Sequence, residues 1–275
     1  MSVARRTVKV GAAAFDSARR LVSHARWPPP GLVVLLYHRV GRRSELEIDL
    51  PVTLFRAQMA ELASTGRVVS LSDAVERLAD PMQQHESLVA VTFDDGTDDF
   101  AEVALPVLVE HDVPATVYVA TEFLERQLPF PHDGTPLTWA ALRDAVSTGL
   151  VDVGSHTHTH ALLDRLPESV VSAELDRSLE LVRERVGQVP VHFAYPKAVP
   201  PSRVADQMVR ARFKSAALAG TRVNIYGGDP YRLTRSPVQY SDGMRWFRHK
   251  LAGGLGVEDT LRRVLNRGRY VGAAT

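Results

Sequence analysis

The stretch that most constrains this chain is Leu88-Val89-Ala90-Val91-Thr92-Phe93-Asp94-Asp95-Gly96. A short apolar run, rich in β-branched residues, stops abruptly at two acids and a glycine. It predicts a buried strand that delivers carboxylates to its C-terminal end. Successive strand side chains point to opposite faces, so adjacent acids share one site only where the pleat breaks. Gly96 supplies a flexible break. Taken alone, the acids fit an ordinary acidic turn, with Asp98 and Asp99 capping the next helix. A second apolar run, Val151-Asp152-Val153-Gly154, ends in Ser155-His156-Thr157-His158-Thr159-His160. Two strand ends, one with carboxylates and one with imidazoles, can close on a metal ion. The joint pattern favours that reading over a chance polar cluster.

Strand and helix signals alternate along the chain. Apolar or β-branched runs predict strands at 31–37, 68–71, 88–93, 114–120, 151–154, 191–194, 214–218 and 232–238. Helical spacing predicts helices at 54–65, 72–79, 98–111, 138–147, 167–186, 202–212, 242–252 and 257–267. In the helix over 167–186, Val170, Ala173, Leu175, Leu179 and Val182 are expected to point inward. Residues 122–136, with Pro129, Pro131, Gly134 and Pro136, read as a long surface loop. The alternation predicts an α/β fold with a parallel sheet. His38, Asp94/Asp95, His156/His160 and Tyr195-Pro196 each follow an apolar strand. A barrel builds its active site at such strand ends, and so does an open doubly wound sheet. The pattern barely separates the two.

The chain of 275 residues is 45% hydrophobic and 24% charged, which suits an ordinary globular core. A net charge of +1 gives no general case for a nucleic-acid partner, and none is expected. Cys 0 excludes disulfides and thiolate ligands, so a metal must be held by His, Asp or Glu. Residues 3–25 read as a basic amphipathic helix, and Trp27-Pro28-Pro29-Pro30 as a stiff linker. The expected organisation is therefore a leader over 1–30 and a barrel domain over 31–275. The leader reads as a solvated helix packed on the barrel; a peripheral membrane contact is the alternative. Asp16, Arg19 and Arg20 interrupt the leader too early for a signal peptide, so a cytoplasmic location is expected, with the inner membrane face as a variant.

At the strand ends the residues resemble a known family. Thr92-Phe93-Asp94-Asp95-Gly96 resembles the first motif of the polysaccharide deacetylases of the NodB-homology type (carbohydrate esterase family 4). Ser155-His156-Thr157-His158-Thr159-His160 resembles the second motif. His192-Phe193-Ala194-Tyr195-Pro196 is similar to the third, in the version of the branch that deacetylates poly-N-acetylglucosamine. Leu36-Tyr37-His38-Arg39-Val40 is similar to that branch's N-terminal signature. The resemblance covers roughly residues 31–240. It implies a distorted (β/α) barrel of seven or eight strands and one divalent metal ion, commonly zinc. It also implies removal of an acyl group from an amino sugar. Carried over by position, Asp95, His156 and His160 would be the metal ligands, Asp94 the general base and His38 the general acid. Two positions depart from the third motif. Ala194 stands where an Arg usually steadies the base. Lys197 stands where a Tyr usually turns its backbone N–H to the oxyanion, a donor that survives any side-chain change. Arg235, in Tyr231-Arg232-Leu233-Thr234-Arg235, is the expected substitute for the missing Arg.

The chemistry suits these residue types. Three protein ligands leave positions open for water and substrate, which marks a catalytic rather than a structural metal site. His156 and His160 are four apart, a spacing that puts two rings on one side of a helical turn. His158 then falls on the other side, as a loop residue or a donor behind the ligands. A histidine is suited to protonating a leaving amine near neutral pH. The mouth is expected to be shaped by loops at 41–52, 122–137 and 220–231. Trp139, Tyr195, Tyr226 and Tyr231 are sugar-stacking candidates, each with ordinary packing as the plainer reading. The expected substrate is an amino sugar in a glycan, an oligosaccharide or a lipid- or nucleotide-linked precursor. The alternatives are another metal-dependent C–N hydrolase (a deformylase or cyclic amidase) and a non-catalytic carbohydrate-binding relative.

Overall fold

The computed structural model describes residues 29–80 and 85–254. The expected leader helix at 3–25 and the helix at 257–267 lie outside the described residues. Seven parallel strands close into a barrel: β1 (Gly31–Tyr37), β4 (Ser87–Phe93), β5 (Ala115–Val119), β6 (Val151–Ser155), β7 (His192–Ala194), β8 (Ser215–Ala219) and β9 (Leu233–Pro237). β9 closes the ring by pairing with β1, with Val34 opposite Arg235. Two short strands outside the ring, β2 (Arg39–Val40) and β3 (Asp49–Leu50), pair with each other. The expected strand at 68–71 is reduced to one bridge, Val68 to Val89. There Ser70 turns the chain into a helix over Leu71–Ala79 instead, because its side chain accepts from the Asp73 N–H as a helix N-cap.

The strands are apolar on both faces because both are covered. Alternate residues such as Val33, Leu35, Tyr37, Val89, Val91, Phe93, Val117, Val119, Val151 and Val153 pack outward under the helices. The intervening set, with Leu32, Val34, Leu88, Ala90, Tyr118, Ala194, Ala217 and Leu233, fills the barrel. The helical layer comprises α1 (Val52–Ser64), α2 (Leu71–Ala79), α3 (Leu105–Glu110), α4 (Thr121–Arg126), α5 (Trp139–Ser147), α6 (Glu168–Val186), α7 (Arg203–Arg212) and α8 (Gly243–Leu251). A π-helical turn, Phe100–Ala104, leads into α3. Pro106 lacks an N–H and its ring crowds the preceding turn, so the ladder widens before it. No described helix is long and apolar enough to cross a membrane.

Three sequence expectations change here. The Pro-rich stretch at 122–136 is not all loop, since α4 occupies its start. The Arg126–Glu122 ion pair at 2.8 Å and a left-handed Gln127 at the C-cap define that helix. In α6 the inward stripe is rotated by about one position. Val171, Glu174, Leu175, Ser178, Leu181 and Val182 are buried, whereas Val170 is 40% exposed. The loop at 220–231 does not stay at the mouth; it runs back to the N-terminal end of the barrel. Asn224 there donates to the carbonyls of Leu32 and Thr234 and accepts from the Thr234 N–H, bridging β1 and β9. Tyr226 donates to the Glu86 carbonyl and Tyr231 to that of Phe213, so neither faces the mouth.

The barrel floor holds a second buried histidine. His192 contacts Ser72 Oγ through Nε2 at 2.9 Å and Ser215 Oγ through Nδ1 at 2.8 Å. Burial pushes its pKa down to about 4 from an ordinary 6.5. Unfolding therefore takes up a proton between those two values. This contribution is complete above pH 6.5 and is lost progressively as pH falls to 4, a total of about 3 kcal/mol. His192→Gln is expected to flatten the acid limb of a stability-versus-pH curve measured by urea unfolding. An unchanged limb would contradict this assignment.

Candidate active site

The strand ends at the C-terminal mouth bring Asp94, Asp95, His156 and His160 together. The Asp94 N–H donates to the Tyr37 carbonyl, extending β4 against β1. The chain then turns at Asp95 (φ 75°) and Gly96 (φ 89°). The break in the pleat thus begins one residue earlier than Gly96. It lets both acids face the same space: His156 Nε2 lies 3.8 Å from Asp94 and 3.7 Å from Asp95. His160 Nε2 lies 3.4 Å from Asp95 Oδ1.

The two histidines do not sit on a helical turn, as their spacing suggested. His156 directly follows β6, and the loop to His160 is irregular, with Thr157 at φ 67° and His160 at φ 62°. Left-handed backbone costs a non-glycine residue about 1–2 kcal/mol and persists only where surrounding contacts fix it. Those contacts come from two helices. Thr121 and Glu122, at the start of α4, donate their N–H groups to the Thr157 and His158 carbonyls. From α6, Glu174 accepts from the N–H groups of His158 and Thr159. His158 turns away and contacts Thr121 Oγ through Nδ1 at 2.9 Å.

The donor set fits a divalent ion. One ligand atom each from Asp95, His156 and His160 lies within 4.8 Å of the others. Tetrahedral ligands at bond lengths of about 2.0–2.2 Å stand about 3.4 Å apart, which is the Asp95–His160 spacing. His156 is 1% exposed, and its Nδ1 donates to the Ala194 carbonyl at 2.7 Å. That bond fixes the tautomer and leaves Nε2 as the lone-pair donor. Burial pushes the His156 pKa down to about 4, so the ring is neutral, as a ligand must be.

Asp94 is the fourth group, and it has its own partner. Arg235, fully buried on β9, crosses the barrel and donates to Asp94 Oδ1 at 2.5 Å and Oδ2 at 2.8 Å. It also donates to the Leu218 carbonyl at 3.3 Å. Burial would raise the Asp94 pKa, but the Arg235 charge, then His156, then the Arg235 hydrogen bonds outweigh it and hold the carboxyl below its ordinary value. The guanidinium carbon lies 5.1 Å from the Tyr118 ring centroid. Gly154 makes room for that ring: a Cβ there would stand 2.3 Å from Tyr118 Cδ1. Gly154→Ala is therefore expected to cost about 1–3 kcal/mol by overpacking. It should also lower activity, by shifting the ring that supports Arg235. Wild-type melting and turnover in this variant would contradict the packing argument.

His38, between β1 and β2, is half-buried and within electrostatic range of both Asp94 and Asp95. Its Nδ1 is buried without a hydrogen-bond partner among the described residues. Lys197 sits just past β7 in a left-handed conformation (φ 53°), with its side chain exposed. Tyr195 packs outward with Phe193 against α7, and Trp139 donates to Glu125 at 2.8 Å.

Residues 82–216 match the family model for polysaccharide deacetylase. This stretch, just under half of the chain, is similar to a polysaccharide deacetylase domain. The matched span takes in Asp94, Asp95, His156, His160 and Lys197; His38 and Arg235 lie outside it. A Bacillus subtilis protein named as a polysaccharide deacetylase, YxkH, is 26% identical over 169 residues, covering 61% of this chain. The match spans 57% of the length of that relative. IcaB from Ammonifex degensii superposes with a TM-score of 0.72 at 26% identity, covering 84% of this chain and 100% of that one. The Streptococcus pyogenes deacetylase PplD, solved in complex with acetate, has the same fold, with a TM-score of 0.71 at 21% identity. It covers 81% of this chain and 99% of its own. The barrel fold is thus shared over nearly all of both solved structures.

Proposed function

We propose that this chain is a metal-dependent hydrolase that removes an N-acetyl group from an amino sugar. One observation carries the reading. Beside the Asp95, His156 and His160 donor atoms stands a further carboxylate, Asp94, which Arg235 holds ionised and aims at the same space. A site built only to bind a metal has no need of it.

A divalent ion held by Asp95, His156 and His160 would polarise the acyl carbonyl and make water a nucleophile at neutral pH. Zinc suits two imidazoles and a carboxylate. Asp94 then takes the proton of the attacking water, and Arg235 keeps its carboxylate oriented through two parallel hydrogen bonds. The backbone N–H of Lys197, at the end of β7, is the oxyanion donor. His38 returns a proton to the leaving amine, so that it departs neutral. Ala194 cannot play the steadying role of the family's third-motif arginine; Arg235 does so from the last strand. This removes the main argument for a non-catalytic relative.

Acetate release from chitooligosaccharides and from lipid-linked N-acetylhexosamines tests the reading, with N-formyl and cyclic amides as the competing panel. Release from an N-acetyl amino sugar that requires zinc is expected. Turnover of the cyclic or formyl amides alone would favour the other C–N hydrolases.

A further inference from the structure

We infer that Glu174 is a positioning residue for the metal site, holding His160 in register with Asp95 from the neighbouring helix. The inference rests on the metal-site reading proposed above. Glu174 lies on α6, is 8% exposed, and spends its carboxylate on a single loop. Oε2 accepts from the His158 N–H at 2.9 Å and the Thr159 N–H at 2.8 Å. Oε1 accepts from the Thr159 hydroxyl at 2.8 Å. Among the described residues, no lysine or arginine forms an ion pair with it.

The position of this clamp is what gives it a consequence. The two residues it grips, His158 and Thr159, lie between the two proposed histidine ligands. They are flanked by the left-handed residues Thr157 and His160. His156 is fixed independently, by the end of β6 and by the Ala194 carbonyl. Among the described residues the His160 ring has no backbone carbonyl partner of this kind; it is partly exposed, it meets Asp95 and the His156 ring, and its place there depends on the path of the loop. Without Glu174 the His158 and Thr159 N–H groups lose their buried acceptor, and the loop has reason to reorient toward water. The second histidine would then have to be recruited as the ion binds, which lowers affinity. Residues that orient metal ligands typically change affinity 10–100-fold when removed.

Glutamine separates clamp from charge. Its carbonyl oxygen can still accept the two N–H groups, and its NH₂ can donate to the Thr159 hydroxyl, which turns to accept. Zinc affinity is to be read by competition against a chromophoric chelator, with folding checked by circular dichroism. Glu174→Ala is expected to weaken zinc binding 10–100-fold and Glu174→Gln by only a few-fold. Thr159→Val removes the hydroxyl contact alone and should weaken it a few-fold; it decides the matter if Glu174→Ala does not fold. Zinc affinity within twofold of wild type in folded Glu174→Ala, or in Thr159→Val where the alanine variant is unfolded, overturns the inference and leaves the functional reading intact. A wild-type chain that takes up no zinc overturns both.

Discussion

Arg235→Met is expected to destabilise the protein by about 3–5 kcal/mol and to abolish turnover. The guanidinium is fully buried and makes both of its short contacts with Asp94. Methionine fills part of the volume but leaves a carboxylate alone inside the barrel. Burial then acts on Asp94 without its strongest charge partner and pushes its pKa upward, which weakens the proposed base. The double variant Arg235→Met/Asp94→Asn removes both charges. It should recover part of the lost stability, because breaking a buried pair is worse than deleting it, but none of the activity. Urea unfolding of the wild type and the two variants, beside acetate release, reads both effects. A single Arg235→Met variant with wild-type stability and turnover would show that Asp94 does not depend on this partner.

The second large effect separates the two acids. Asp94→Asn is expected to lower kcat by about 10²–10⁴-fold, as loss of a general base does, while the chain still binds one zinc ion. Asparagine keeps a carbonyl oxygen for Arg235 and leaves Asp95, His156 and His160 untouched. Zinc content by elemental analysis, with kcat on the same sample, checks this. A variant that loses its metal instead would mean that the roles of Asp94 and Asp95 are interchanged.

The chain's organisation was legible where one physical rule sufficed. Long apolar strands covered on both faces announce themselves, and the polar residues that end them mark the mouth, which is how Asp94, Asp95 and His156 came forward. The alternation of strands and helices led to the barrel but did not fix the number of strands. Seven close the ring because β9 pairs directly with β1, and Asn224 bridges the same two strands at one rim. What stayed hidden depends on polar groups satisfied across space. Glu174 and Ser178 occupy the inward face of α6, where hydrophobic periodicity reads them as outward, so the expected stripe was displaced. Ser178 is buried because Ser155 lies 2.8 Å from it, and Glu174 because the histidine loop supplies three donors. The spacing of His156 and His160 suggested a helical turn, yet two left-handed residues bring them together. Short α4 was masked by the prolines that follow it.

Zinc stoichiometry after equilibration and desalting, compared between wild type and the Asp95→Ala, His156→Ala and His160→Ala variants, tests the account most directly. One ion per wild-type chain, and none retained by any of the three folded variants, is the expected result. Full zinc occupancy in His156→Ala and His160→Ala would contradict it, since the ion would then sit elsewhere and Asp94 would have no site to serve.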